Sequence, residues 1–137
     1  MRVAEEYLPP LKEDGLRTNK GFGYATGNAV GSTVTQATNR TIGVTINALT
    51  GAITTNNTSL AAEASAVFTV TNSLVEINDV VIVSIRSGTV ALNTDVVVTA
   101  VAAGSFSLTV INNNVAAGIA ETGAIVINFA VIKGSSN

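Results

Sequence analysis

The feature that most constrains this chain is the spacing of its branched residues. Val (19), Ile (11) and Thr (18) make up 48 of 137 residues, and over several short stretches they alternate with polar neighbours at a period of two. In a strand, successive side chains point to opposite faces, so Ile42, Val44 and Ile46 share one face of Thr41–Asn47. Branching at Cβ favours the pleated strand over the helix. Hydrophobic residues are 47% of the chain and charged residues 12%, against roughly 25% charged in an ordinary domain, which excludes wholesale disorder. At this length one core is expected. The prediction is therefore all-β: a β-sandwich or jelly-roll-like barrel at residues 28–137, preceded by an extended arm and glycine-rich hinge at 1–27.

Within the body, short strands alternate with turn residues every eight to twelve positions. Ala66–Asn72 places Phe68 and Val70 inward. Asp95–Val101 and Phe106–Asn112 flank Ala102-Ala103-Gly104-Ser105 as a hairpin, with Phe106, Leu108 and Val110 on the core face. Two strands lack a polar face. Asp79–Arg86 carries Val80, Val81, Ile82, Val83 and Ile85; Ala124–Lys133 carries Ile125, Ile127, Phe129 and Val131 on one side and Val126, Ala130 and Ile132 on the other. Both are expected to be covered twice, the second time by a neighbouring subunit. Val81, Val83, Ile85, Val126 and Ile132 are the expected subunit contacts.

Charge divides the chain. Arg2, Glu5, Glu6, Lys12, Glu13, Asp14, Arg17 and Lys20 are eight of its sixteen charged residues, all within the first twenty positions. The same stretch holds both prolines, Pro9 and Pro10, which favour extended backbone. Apolar residues Val3, Tyr7, Leu8, Leu11 and Leu16 are interspersed, which a purely solvated tail does not need. Glu5, Glu6 and the proline pair also interrupt any apolar core of a signal peptide, so an unprocessed, soluble chain is expected.

Chemistry is limited by what is missing. With no His and no Cys, there is no imidazole base, no thiolate and no zinc or disulfide framework. Gly21-Phe22-Gly23 and Gly27 have the wrong interval for a dinucleotide loop and open no helix. The body carboxylates Glu63, Glu76, Asp79, Asp95 and Glu121 are sparse and read as solvated turn residues. Glu76, Asn78 and Asp79 lack the dense ligand alternation of a calcium loop. Arg40 and Arg86 read as surface ion-pair formers. No catalytic residue, metal site or cofactor is expected, and the chain is not expected to be an enzyme. A net charge of −2 and few aromatics argue against nucleic acid, and no apolar run is long enough for a membrane helix.

Three stretches carry a resemblance: Gly21-Phe22-Gly23-Tyr24-Ala25-Thr26-Gly27, Gly31-Ser32-Thr33-Val34-Thr35-Gln36 and Thr41 to Gly51. With Phe68 to Ser73, Asp79 to Val83, Val98 to Phe106 and Ile127 to Lys133, they resemble small virion structural proteins of tailed bacteriophages and prophages. The resemblance spans about residues 21 to 133. It implies a capsid decoration (cement) protein or head-fibre module on the outer surface of the virion, with the major capsid protein and its own copies, as a homotrimer, for partners. The arm, through Arg2, Val3, Tyr7, Leu8, Pro9, Pro10, Leu11, Lys12, Leu16, Arg17 and Lys20, is then expected to lie across the shell. A fibre or spike module that binds host-surface glycan is the alternative, and a neck or tail structural subunit a further one.

Overall fold

The computed structural model describes residues 23–24 and 30–135. They contain eight strands: β1 (Ser32–Thr35), β2 (Val44–Thr45), β3 (Thr50–Thr54), β4 (Ser65–Thr71), β5 (Val80–Ser87), β6 (Thr94–Ala102), β7 (Ser105–Asn112) and β8 (Val126–Ile132). No helix occurs among the described residues. The strands form two four-stranded sheets, A in the order β1-β3-β8-β5 and B in the order β2-β4-β7-β6. The fold is a β-sandwich and does not close into a barrel. The arm residues Arg2 to Lys20 lie outside the described residues, as does all of the hinge but Gly23 and Tyr24.

The chain changes sheet at every connection from β1 to β6, and only β6 and β7 are a hairpin within one sheet. This alternation explains two parallel pairs in so small a domain. β1 runs parallel to β3, and β2 parallel to β4, because the strand between each pair lies in the opposite sheet. It also collects the connections β1–β2, β3–β4, β5–β6 and β7–β8 at one end. The connections β2–β3, β4–β5 and β6–β7 lie at the other.

The core fills the space between the sheets. β4 and β7 pair antiparallel with Phe68 opposite Leu108 and Val70 opposite Phe106; these four and Val110 are buried, as their alternation predicts. From sheet A come Ile53, Ile127, Phe129 and Val131, with Ile125 just ahead of β8. The Phe106 and Phe129 rings meet across the sandwich, tilted, with centroids 5.5 Å apart. The expected β6–β7 hairpin is present, with Ala102 opposite Ser105. Its two-residue turn contains Gly104 at φ 81°, a backbone state open to glycine at no steric cost.

Two sequence expectations change. The strand predicted over Thr41–Asn47 shortens to Val44–Thr45, and Ile42 is exposed while Val44 and Ile46 are buried. Gln36 accounts for this, since its side-chain amide takes the carbonyls of Arg40 and Ile42 at 3.0 and 2.8 Å and bends the chain out of the sheet. The second change is β3, a central strand of sheet A that no alternation announced. Gly51 interrupts its pattern, because a Cβ there would collide with the Ser32 carbonyl and the Phe129 ring. Among the described residues β5 and β8 are covered on their inner face, and on the outer face Val80 and Ile82 are 56% and 51% exposed.

Two glycines with the same φ separate backbone strain from lack of space. Gly88 has φ 92° and Gly118 φ 90°, but a Cβ on Gly88 would land on the Ala124 carbonyl whereas one on Gly118 meets nothing. Gly118→Ala is expected to cost about 1–2 kcal/mol, the left-handed penalty alone. Gly88→Ala adds a backbone displacement at the end of the β5–β8 ladder and should cost at least about 2 kcal/mol more. Equilibrium urea unfolding of the two variants checks the difference.

Candidate interaction surface

The charged side chains of the body fall into two groups, Arg40 with Glu121 and Lys133 with Asp79 and Glu76, and several separate residues. Glu63, Glu76 and Asp95 are exposed, as expected. Glu121 and Asp79 are not the solvated turn residues that the sequence suggests, and Arg40 is not a surface ion-pair former: all three are buried. Among the described residues no three acidic side chains gather as a metal site.

Glu121 and Arg40 sit at the end where the four sheet-switching connections meet. The Glu121 carboxylate receives only donors: the Val90 amide at 3.1 Å, the Ala91 amide at 3.1 Å, the Gly123 amide at 2.7 Å and the Thr94 hydroxyl at 2.6 Å. Burial raises its pKa, yet the Thr94, Gly123, Val90 and Ala91 donors outweigh burial and hold the carboxyl below its ordinary range. Its backbone pairs with Leu60 in both directions, at 2.9 and 2.8 Å. The Arg40 guanidinium donates to the carbonyls of Thr58, Glu121 and Gly123 at 2.5, 3.1 and 2.8 Å and to the Thr55 hydroxyl at 3.1 Å. Burial lowers the Arg40 pKa, and the nearby Glu121 charge partly restores it. Arg40 and Glu121 together thereby fasten all four connections of this end.

The opposite end is fastened differently. Asn72, fully buried, donates its side-chain amide to the Ala48 carbonyl at 2.7 Å and accepts the Leu74 amide at 3.1 Å. Asp79 accepts from Lys133 at 2.6 Å, from the Glu76 amide at 2.8 Å and from the Gly134 amide at 2.9 Å, joining the β4–β5 turn to the segment after β8. Burial opposes the Asp79 charge, but the bonds from Lys133, Glu76 and Gly134 prevail and keep its pKa low. No buried side-chain polar atom lacks a partner among the described residues. These buried charges are each held by hydrogen bonds within the fold.

On the outer face of sheet A, large aliphatic side chains are exposed. Val80 pairs with Ile132, and Ile82 with Ala130, so the outward side chains form a contiguous aliphatic area with no charge among them. Tyr24 lies against it and donates its hydroxyl to the Val131 carbonyl. Gly23, Tyr24, Thr50, Ile82, Ala130 and Ile132 enclose a recess of about 300 Å³. The same face turns polar beyond Asn128, where Arg86, Ser32 and Thr33 line a shallow groove of about 360 Å³.

The expected subunit contacts divide between two faces. Ile132 and half-buried Val126 lie on the outer face, available to a neighbour. Val81 is buried in the chain's own core, with Val83 and Ile85 packed against it. On β5 the outward register is Val80 and Ile82 instead. An unbroken aliphatic run carries no mark of which register faces inward; that is set by the pairing with β8, where Val81 lies opposite core residue Val131.

Comparison with protein-family models, with curated proteins and with solved structures finds no match to the chain.

The Glu121 carboxylate accepts from four donors, the Val90 amide reaching both oxygens, so an amide NH₂ would face donors. Glu121→Gln is expected to destabilise the fold by about 3 kcal/mol, and Thr94→Val by about 1.5 kcal/mol, in urea unfolding. Because the folded carboxyls of Glu121 and Asp79 titrate below their unfolded counterparts, the unfolded chain binds more protons in acid. Their stabilisation is complete above about pH 5 and lost as pH falls through the folded pKa values. The urea midpoint should hold from neutral pH to about 5 and decline below it, more gently in Glu121→Gln and Asp79→Asn.

Proposed function

We propose that the chain is a structural, non-enzymatic virion protein that decorates and stabilises a bacteriophage capsid. It binds the major capsid protein on the outer surface of the shell and associates with itself as a homotrimer. The observation that carries this reading is the uncharged aliphatic area Val80–Ile82–Ala130–Ile132 on the outer face of sheet A. Left to water in a single chain, such an area is the mark of a surface made to be covered. The resemblance to small phage virion proteins supplies the setting. The arm, with half of the chain's charges and both prolines, is the segment assigned to lie across shell subunits in this reading.

The host-glycan alternative draws on polar side chains at loop tips, and here they are engaged within the chain. Asn56 accepts the Thr58 amide at 2.8 Å and donates to the Ala37 carbonyl at 3.1 Å. Asn112 donates to the carbonyls of Leu60 and Ile119 at 3.0 and 2.8 Å, and Asn114 donates to the Ala91 carbonyl at 2.9 Å. Few amides are left to read a sugar. A neck or tail subunit would use the same surface chemistry at a different place on the particle.

Full-length protein and a variant lacking residues 1–20, mixed with shells stripped of this protein and separately with host cells, test the assignment. The truncated chain should fold and self-associate as before, while its affinity for shells falls more than about tenfold, a loss of only ~1.4 kcal/mol. Undiminished shell binding would overturn the role of the arm. Binding to cells that depends on the exposed Asn57 would favour the glycan reading.

A further inference from the structure

The two ends of the sandwich carry complementary apolar features. At the Glu121 end, the β5–β6 and β7–β8 connections hold out Leu92, 97% exposed, and Val115, 82% exposed, flanked by Val90 and Ile119. Positions 88–94 and 113–120 contain no charged residue. The tip is braced. The Asn113 amide donates to the Asn93 carbonyl at 2.8 Å, and the Asn93 side chain returns a bond to the Asn113 carbonyl at 3.0 Å. Asn114 holds the Ala91 carbonyl, and the Val90 and Ala91 amides end on Glu121. Its asparagine amides and its first backbone donors are thus taken up internally, and what the tip offers outward is methyl groups on a fixed frame.

The recess between Tyr24 and Ile82, Ala130 and Ile132 has matching chemistry: aliphatic, uncharged and open at one side, with about 300 Å³ of space. It lies at the far end of sheet A. From Ile82 to Gly88 is six residues of strand, roughly 20 Å at about 3.3 Å each, so the tip of a chain cannot reach the recess of the same chain. We propose that the Leu92 tip of one copy seats in the Tyr24–Ile82–Ile132 recess of the next, a head-to-tail contact between copies of this chain. The inference rests on the self-association in the proposed function and specifies its geometry. A contact between two different patches is heterologous, and it closes into a ring, such as the proposed trimer, when the rotation between neighbours permits. A lipid surface fits less well, because the tip carries neither the basic residues nor the aromatic side chains that hold proteins at a bilayer.

Two exposed substitutions remove the two halves separately. Leu92→Asp spoils the tip and Ile82→Asp the recess; neither side chain belongs to the core, so thermal unfolding should be unchanged by circular dichroism. In sedimentation velocity, wild-type protein should run as a closed oligomer and each variant as a monomer. An equimolar mixture of the variants should form a dimer and nothing larger, since the tip of Ile82→Asp fits the recess of Leu92→Asp and no other intact pair remains. If Leu92→Asp keeps the wild-type oligomer, the tip is not the contact; the inference falls and self-association stands. If Ile82→Asp keeps it, the recess has another occupant, the chain's own residues 1–22 included, and the inference falls again. A mixture that stays monomeric overturns the head-to-tail pairing, and a monomeric wild type overturns the homotrimer as well, with shell binding measured independently.

Discussion

The Glu121 carboxylate is the constraint on which the remainder of this structure depends. A buried charge is costly, and this one is kept by surrounding it with donors that no neutral side chain would satisfy as well. Arg40 compensates its charge at one remove. The guanidinium grips the main chain at Glu121 and Gly123 instead of the carboxylate, and reaches Thr55 and Thr58 on the β3–β4 connection. The pair is therefore less a salt bridge than two hubs, each collecting backbone from connections that share no ladder.

The connectivity gives the hubs their importance. A chain that changes sheet at almost every step cannot stabilise its crossings with hairpin turns, and β6–β7 is the one place where it does so. Four crossings converge at one end, with backbone groups that lie outside either sheet and still need partners. Glu121 and Arg40 supply them. At the other end the smaller set of crossings is served by neutral Asn72 and by Asp79 with Lys133. The consequence is a sandwich whose buried polar side chains all have partners among the described residues.

How much of this was legible in the sequence follows from the kind of information each element carries. β4 and β7 alternate strictly because one face meets the core and the other water, so Phe68, Val70, Phe106, Leu108 and Val110 could be placed inward from spacing alone. β3 was not legible, because its place is set by the close approach of other chain segments at Gly51, and glycine has no side chain to declare a face. On β5 the run Val80 to Val83 announced an apolar strand but not its register. Arg40 and Glu121 were misplaced on the surface by the usual habit of charged residues. A signal was present nonetheless: residues 21–137 hold only eight charges, and a charge that so apolar a body buries needs specific partners. Distance between Arg40 and Glu121 along the chain concealed that they were each other's surroundings.

Amide hydrogen exchange on the native protein tests the central claim, that the Glu121 hub makes the loop end as firm as the sheets. The Val90, Ala91 and Gly123 amides lie in connections, where exchange is ordinarily fast. Held by Glu121, they should exchange with protection comparable to the Leu108 amide of β7, and lose that protection in Glu121→Gln while Leu108 falls only with global stability. Exchange of these three amides at the rate of the neighbouring Gly118 amide in the native protein would contradict the account.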